Sequence, residues 1–479
     1  MYLGLDLGTS GLKGLLLDAD QTVLGEATAP LSVSRPQDGW SEQLPADWLS
    51  AASAVIDALA AEHDMSAVRA IGLSGQMHGA TLLDAKGNVL RPCILWNDTR
   101  SHVEAAEMDA DPRWREISGN IVFPGFTAPK IAWVRTHEPE IFAKIDTVLL
   151  PKDYLRLWLT GEAVSEMSDS AGTSWLDTGR RDWSDELLAL SGLSRAAMPR
   201  LIEGSAPSGV VRPELQSRWG FGPEVVVAGG GGDNAASAVG MGVVRPGAAF
   251  VSLGTSGVLF AACESYSPDA ASAVHSFCHA LPDTWHQMGV ILSATDSLNW
   301  YAGLTGAAPA ALDAELGEAL QAPGDTVFLP YLGGERTPHN DARIRGALTG
   351  LSHGTDRAAG TRAVMEGVGF AVRDCLDALT STGTSIDSLV AVGGGSRSDY
   401  WLKLLATLLD MPVARPAEGD FGAAFGAARL AMLADGAPLD AIATPPPIAA
   451  TFAPDTSLQP DFAAAHARYR ATYRALKEI

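Results

Sequence analysis

Apolar residues recur along this chain in two patterns. Short hydrophobic runs predict strands over 2–7, 12–17 and 22–29, and the polar stretch Asp18-Ala-Asp-Gln21 turns the chain between the second and third. Apolar positions then fall at helical spacing over 47–63, at Trp48, Ala51, Val55, Ile56 and Leu59. A short strand over 68–74 ends in Gly75-Gln-Met-His-Gly79. In the second half, 248–253 and 258–262 read as strands, 361–379 as a helix, 388–392 as a strand, and 398–409 and 423–433 as helices. Pro445-Pro-Pro447 precedes a last helix over 461–477, which reads as packing or solvent-facing rather than catalytic. Strands alternating with helices place the chain in the α/β class.

The two halves also share a motif. Leu7-Gly-Thr-Ser-Gly11 returns letter for letter as Leu253-Gly-Thr-Ser-Gly257, about half the chain later. Each copy is preceded and followed by a strand-like run, so each reads as a β-hairpin. Matched context at half-length points to duplication, with the two halves joined near Val239 to Pro246.

Composition narrows the function. The chain has 479 residues, 47% hydrophobic and 19% charged, which is globular rather than disordered. Its length predicts two to four domains, and the repeat reduces this to two. Lys and Arg number 34 against 56 Asp and Glu, a formal charge of −22. That excludes a general phosphate-backbone binder, though a local site can still hold a small anion. The four cysteines lie far apart with no CxxC pair, so no disulfide framework is expected. Cys278 stands between His275 and His279, which reads as a buried thiol beside ordinary histidines rather than a metal site. The N-terminus lacks a basic region and reaches Asp6 early, unlike a signal peptide, and no apolar run is long enough to span a membrane. A soluble cytoplasmic protein is the expectation, binding neither nucleic acid nor membrane.

In Asp6-Leu-Gly-Thr-Ser-Gly11, backbone N–H groups and two hydroxyls converge at a tight turn of the kind that holds phosphate. A dinucleotide fingerprint needs Gly where Asp6 stands. A carboxylate beside phosphate calls for an intervening cation, so Asp6 points to Mg²⁺ bridging protein and polyphosphate. Lys13 alternates to a face from which it could reach a phosphate. Facing hairpins from the two halves could grip one polyphosphate between them. None of the seven lysines follows a glycine, which removes the P-loop.

A second candidate is Val225-Val-Val-Ala-Gly-Gly-Gly-Gly-Asp-Asn234, where a buried strand meets four glycines and Asp233 opens a helix. Helix capping alone does not need four glycines, so the functional reading of Asp233 is a general base that takes a proton from an attacking hydroxyl. Val390-Ala-Val-Gly-Gly-Gly-Ser396 reads as the same design in the second half, suited to the nucleotide. Gln76 and His78 form a polar pair between glycines, and Met77 and Trp96 supply apolar contact for a small-molecule pocket.

These residues carry a family resemblance. The paired Leu-Gly-Thr-Ser-Gly hairpins, Gly-Gly-Asp-Asn and the late Gly-Gly-Gly resemble the FGGY carbohydrate kinases of the actin-like ATPase superfamily, and Lys130-Ile-Ala-Trp133 matches that family's Lys-x-x-Trp signature. Ser252 stands in the second hairpin where Asp6 stands in the first. Within the family, Ser74-Gly-Gln-Met-His-Gly79, Ile94-Leu-Trp-Asn-Asp98, Leu150-Pro-Lys-Asp-Tyr-Leu-Arg156, His275-Ser-Phe-Cys-His-Ala-Leu281 and Phe328-Leu-Pro-Tyr-Leu-Gly-Gly-Glu-Arg-Thr-Pro338 are most similar to members acting on D-xylulose.

The resemblance implies two duplicated actin-like, ribonuclease-H-like α/β ATPase domains flanking a catalytic cleft: 1–243 for sugar and base, 244–438 for nucleotide, and 439–479 as a Pro-rich segment with a terminal helix. It implies ATP- and Mg²⁺-dependent phosphorylation of D-xylulose at its 5-hydroxyl, in pentose catabolism. Asp233 is then the base, and Asp6 and Asp233 are the metal ligands. Met77, His78, Asn234 and Trp96 are the sugar contacts. Thr9, Ser10, Lys13, Gly254, Thr255, Asn299, Gly394 and Ser398 are the nucleotide contacts. A homodimer is the assembly it implies. Two other readings stand beside this one: a kinase of ribulose, fuculose, gluconate or glycerol, and a non-enzymatic actin-like ATPase. As a chaperone the latter should append a substrate-binding domain, yet only a short tail with one helix is expected after Pro438; as a repressor it should begin with a basic helix-turn-helix, yet the sequence opens on the first hairpin strand.

Overall fold

The computed structural model describes residues 1–417, 419 and 421–478. Contacts divide the chain into two compact units, one of Met1–Val244, Phe277–Trp285 and Asp420–Pro445, the other of Arg245–Ser276, His286–Gly419 and Pro446–Ile479. Each is built on a seven-stranded sheet.

In the first unit the strands are β1 (Tyr2–Leu7), β2 (Gly11–Leu17), β3 (Val23–Pro30), β4 (Ala70–Gly75), β5 (Pro207–Val210), β6 (Val226–Ala228) and β7 (Gly231–Gly232). Their order is β5-β6-β4-β1-β2-β3, with β7 continuing beside β4. β1 pairs antiparallel with β2 and parallel with β4, so the first hairpin lies inside the sheet and its turn opens at the carboxyl edge of the parallel strands. Alternation along β1 explains the layers. Leu3, Leu5 and Leu7 face one core with Trp48, Val55, Ile56 and Leu59 of the Pro45–Glu62 helix. Tyr2 faces the other core, with Ala424, Phe425 and Ala428 of the Ala423–Ala434 helix.

That second layer depends on missing side chains. A Cβ on Gly4 would stand 2.0 Å from the Ala424 carbonyl oxygen, and one on Gly72 would stand 1.7 Å from that of Ala427. The Ala423–Ala434 helix lies almost backbone to backbone on β1 and β4. On its flank Gly426 meets the Asp233–Gly240 helix with equal closeness, 1.8 Å from the hypothetical Cβ to Ala236 O.

The second unit repeats the plan. Its strands are β8 (Gly247–Leu253), β9 (Gly257–Cys263), β10 (His275–Cys278), β11 (Trp285–Ile291), β12 (Ile386–Val392), β13 (Val413–Pro416) and β14 (Ile448–Phe452), in the order β10-β11-β9-β8-β12-β13-β14. β8 pairs antiparallel with β9 and parallel with β12, as β1 does with β2 and β4. The Arg357–Ser381 and Asp399–Leu409 helices supply Val364, Val368, Phe370, Trp401 and Leu405 to its core. The last helix, Gln459–Leu476, buries Phe462, Ala465, Tyr469 and Tyr473 on one face. Of the two roles expected for it, packing or solvent-facing, it is therefore a packing element on that face.

The topology changes one equivalence drawn from the sequence. The Gly393-Gly-Gly395 turn follows β12, the parallel neighbour of the central hairpin, so its counterpart is Gly75–Gly79 after β4. The Gly229–Gly232 run instead follows β6, whose counterpart is β13. Glycine content resembles the wrong partner here because close backbone approach is required at both strand ends.

The expected segments 1–243, 244–438 and 439–479 also differ from the compact units in the last third of the chain. Residues 421–445 pack in the first unit, because the small-residue helix Ala423–Ala434 is buried only where glycines face it. Residues 446–478 complete the second unit through β14, which pairs antiparallel with β13, and the terminal helix.

Replacing Gly72 by Ala is expected to destabilise the protein by about 3 kcal/mol or more, since backbone rather than a movable side chain blocks the new methyl. Gly303, exposed in the Thr295–Thr305 helix with nothing within 4 Å of its hypothetical Cβ, should gain up to about 1 kcal/mol as Ala. Denaturant unfolding of the two variants checks both signs.

Candidate active site

Register places the candidate residues of the first unit together. Asp6 of β1 and Gly231 of β7 both stand opposite Ser74 of β4, and Leu7 and Gly232 both stand opposite Gly75. The chain segments beyond these rows, Gly8-Thr-Ser10, Gln76-Met-His78 and Asp233-Asn234, therefore emerge side by side at the carboxyl edge of three parallel strands, where open α/β sheets hold ligands.

Each glycine before Asp233 has a neighbour in place of a side chain. A Cβ on Gly229 would lie 2.2 Å from Glu203 O. Gly230 has φ +78° and Leu73 O at 2.2 Å from its hypothetical Cβ, and on Gly232 the new carbon would meet Met77 at 2.9 Å. Met77 thus packs against the backbone just ahead of Asp233. Asp233 is the first residue of its helix, with Gly232 as the cap. Its Oδ1 accepts the Asn234 backbone N–H at 2.7 Å and the Asn234 side-chain amide at 3.0 Å. Burial pushes its carboxyl above the usual range, while the bonds from Asn234 pull it the other way.

His78 has a left-handed backbone, φ +69°. Its ring stacks on Phe126 at 4.5 Å, meets Phe277 edge-on at 6.4 Å, and its Nδ1 lies 2.6 Å from Gly172 O. Its carbonyl accepts from Lys130 Nζ at 2.8 Å and from Thr127 Oγ1 at 3.2 Å, and the same ammonium also donates to Gly125 O. Burial lowers the Lys130 pKa to about 7. The Lys-x-x-Trp lysine thus ties two loops together by their carbonyls.

The first hairpin turn is held by a closed polar ring. Trp96 Nε1 donates to Thr9 Oγ1 at 3.0 Å, which donates to Gln76 Oε1 at 3.1 Å. Gln76 Nε2 donates to Gln43 Oε1 at 2.9 Å, which also accepts from Trp48 Nε1 at 3.0 Å. Gln43 Nε2 closes the ring on Thr9 O at 2.7 Å. Trp96 is half exposed, with its indole beside the turn, and Ser10 is exposed at the tip. Gln43 escapes a reading by motif, because it lies in a two-residue strand with no pattern of its own.

Lys13 stands opposite Asp6 across β1 and β2, and its ammonium pairs with Glu26 at 3.0 Å. Asp6, on β1, and Asp233, just after β7, stand on either side of β4, and carboxylate oxygens are the donors a hard cation such as Mg²⁺ takes.

Beneath this edge lies a buried charge cluster. The Lys152 ammonium, fully buried, meets Asp153 at 2.9 Å, Asp169 at 2.9 Å and Glu166 at 3.2 Å. Burial opposes its charge, but Asp153, Asp169 and Glu166 outweigh that and hold its pKa above the ordinary lysine value. Arg156 donates to Ala228 O and Gly229 O, both at 2.5 Å. Lys152, Asp153 and Arg156 lie in a segment noted for its family likeness. Glu166 and Asp169 carried no signal, being isolated acids in a polar stretch.

In the second unit, Gly254 and Thr255 turn the β8–β9 hairpin at the carboxyl edge, and Gly393 and Gly394 leave β12 beside them, both exposed. Gly393 has φ +88°, and a Cβ there would lie 2.7 Å from Leu253 O. The Thr295–Thr305 helix starts from this turn, with Thr295 N and Oγ1 donating to Gly254 O at 2.9 and 2.7 Å and Ala294 N donating to Thr255 O at 2.8 Å. Asn299 lies exposed on that helix. Ser398 caps the Asp399–Leu409 helix: its hydroxyl accepts from Trp401 N at 3.0 Å and donates to Asp313 at 2.6 Å. Gly254, Thr255 and Gly394 are thus brought together, while the Ser398 hydroxyl is engaged in the cap.

The cysteines are all buried and free. Burial lowers His279 to about 4, and its Nε2 lies 3.1 Å from Val243 O, an ordinary core histidine. Among the described residues, Asp374, Asp377 and His466 lie close enough to share a cation, but Arg470 bridges both carboxylates at 2.6 Å, so the charge is already met. No helix among the described residues is long and apolar enough to cross a membrane.

Comparison with known proteins bears on the family and the fold. The N-terminal domain of the FGGY family of carbohydrate kinases matches residues 1–240 and its C-terminal domain matches 249–434. A xylulose kinase from Escherichia coli (strain K12) is 51% identical over 91% of this chain and 90% of its own length. A crystal structure described as a xyloylose kinase, from Brucella ovis, is 64% identical with a TM-score of 0.99, covering 100% of this chain and 99% of that one. The xylulose kinase structure from Rhodospirillum rubrum is 29% identical with a TM-score of 0.94, covering 100% of this chain and 99% of that one. With both of its domains present in order and an actin-like ATPase fold in each unit, the chain belongs to the FGGY family of carbohydrate kinases.

Proposed function

We propose that this chain transfers the γ-phosphoryl group of ATP to the 5-hydroxyl of D-xylulose, with Asp233 as the general base. The observation that carries this reading is the position of Asp233: a carboxylate at a glycine-lined strand end, beside Met77, on the edge where the Asp6–Gly11 turn also opens. The high identity to proteins named xylulose kinases supports the choice of sugar.

In this reading Met77, His78, Asn234 and Trp96 hold the sugar, apolar faces meeting its carbons and polar atoms its hydroxyls. Asp233 accepts the 5-hydroxyl proton as that oxygen attacks phosphorus. A carboxyl whose pKa is raised by burial is, when ionised, a stronger base than an ordinary aspartate. Thr9, Ser10 and the backbone between them take phosphate oxygens, and Gly254, Thr255 and Gly394 offer backbone to the rest of the nucleotide, with Asn299 and Ser398 nearby. Lys13 must leave Glu26 to reach a phosphate. Asp6 and Asp233 would hold Mg²⁺, which when bound offsets the charge of the phosphates. Catalysis then rests on positioning and charge stabilisation rather than covalent chemistry.

Four outcomes are expected. Asp233→Asn should lower kcat/KM for D-xylulose by about 10³-fold with the circular dichroism spectrum unchanged, and normal turnover would overturn the base assignment. In the parent enzyme kcat/KM should fall on the acid side, as protonation removes the base. Because burial raises this carboxyl, the fall begins above the pH at which an ordinary aspartate, near 3.8, would titrate. Calorimetric titration with ATP in EDTA should show at least about tenfold weaker binding than with Mg²⁺, since a chain of charge −22 supplies few cations of its own. Assaying ATP consumption with D-xylulose, ribulose, fuculose, gluconate and glycerol separates the substrate from the family, and preference for any but D-xylulose would replace the sugar and keep the class.

A further inference from the structure

The short helix Met167–Ala171 reaches the candidate site at both of its ends. At its start, Ser168 Oγ accepts the backbone N–H of Gly232 at 3.1 Å, one residue before Asp233. At its end, Gly172 O meets His78 Nδ1 at 2.6 Å. Gly172 has no room for a side chain, since a Cβ there would lie 2.5 Å from His78 Cε1 and 3.0 Å from Met77 Cε. One helical turn thus touches both the strand end that carries the carboxylate and the residue expected to contact sugar.

That turn is itself anchored from below. Glu166 accepts the backbone N–H of Ser168 at 2.7 Å and of Asp169 at 2.9 Å, and it accepts the Ser168 hydroxyl proton at 2.8 Å. Since the Ser168 proton goes to Glu166, its oxygen lone pair is left facing Gly232 N–H. The direction of the bond is therefore determined by the carboxylate. Glu166 is pinned in turn by Lys152, fully buried, whose stem packs 3.1 Å from the hypothetical Cβ of Gly75 at the end of β4. Arg156 holds the carbonyls of Ala228 and Gly229 on the segment that leads to Asp233. Burying five ionisable groups is expensive, and hydrophobic residues of similar size would serve packing alone at least as well. What the cluster adds is direction: the carbonyls of Ala228 and Gly229 are met by a guanidinium that cannot shift without leaving a buried charge unpaired, and Gly232 N–H by a hydroxyl whose proton Glu166 takes.

We propose that Ser168 is a positioning residue for phosphoryl transfer, setting the backbone at Gly232, and through it the carboxylate of Asp233, in register with the sugar hydroxyl. The inference rests on the reading of Asp233 as base. Lys152 and Glu166 act one step further back, by fixing the orientation of Ser168. A base displaced by a fraction of an ångström loses rate in the transition state while the sugar still binds through Met77, His78 and Trp96.

The test uses the full-length enzyme with Ser168→Ala and Ser168→Cys, the second keeping side-chain volume while replacing the oxygen by a weak acceptor. Both variants are expected to lose about tenfold in kcat, with KM for D-xylulose and for ATP within threefold of the parent and thermal unfolding within a few degrees. A kcat within twofold of the parent in both variants would overturn the proposal. So would a defect in Ala that Cys repairs, because that would mean volume rather than the hydrogen bond matters. A loss carried by KM alone would also overturn it. Asp233→Asn assayed alongside separates the two readings: if it turns over normally, the base assignment fails, whereas an inactive Asp233→Asn with normal Ser168 variants removes only the role of Ser168.

Discussion

Backbone packed directly on backbone is the constraint on which the first unit depends. The Ala423–Ala434 helix can approach β1 and β4 only because Gly4 and Gly72 present no Cβ, and its neighbour Asp233–Gly240 can approach it only through Gly426. The same device recurs at the strand end, where Gly229, Gly230 and Gly232 admit the carbonyls of Glu203 and Leu73 and the side chain of Met77. Three loops lie side by side at the carboxyl edge of β1, β4 and β7, and that edge carries side chains with chemistry, Asp6, Thr9, Gln76, His78 and Asp233 among them.

Polar groups at this edge are each held by further hydrogen bonds. Thr9 is fixed by the ring through Gln76, Gln43 and Trp96, His78 by Lys130 and Gly172, and the Gly232 backbone by Ser168. In a low-dielectric setting each such bond is costly to leave unmade, so the arrangement resists rotation of the groups that face a ligand. The acidic balance of the chain adds a further condition. In the proposed reading, oriented N–H groups and a divalent cation would accommodate the polyanion, since Lys13, opposite Asp6 across the hairpin, is already paired with Glu26.

Much of this was legible beforehand. The repeated Leu-Gly-Thr-Ser-Gly hairpin announces two units, the strands and helices lie within a few residues of their predicted bounds, and Asp6, Met77, His78 and Asp233 stand out in the sequence as candidates. Glycine runs were a weaker guide: Gly393–Gly395 looked like the partner of Gly229–Gly232, yet strand order pairs it with Gly75–Gly79. Glu166, Ser168 and Gln43 gave no signal, because a buried acid, a hydroxyl and an amide in short irregular segments look the same in sequence as exposed ones.

The sequence by itself determined the class, the duplication and the chemistry on offer, since these follow from local periodicity and from side chains whose functional groups are intrinsic. Only the tertiary structure decided which strand ends adjoin, which glycines are filled by a neighbour's backbone, and which charges are buried together. Those are contacts between residues tens or hundreds of positions apart. Lys152 with Glu166, Ser168 with Gly232, and Gly72 with Ala427 are long-range pairs, and their energies depend on burial that no local pattern encodes. The last third of the chain shows the difference most clearly: its helix at 423–434 was readable from composition, but the sheet on which it packs was not.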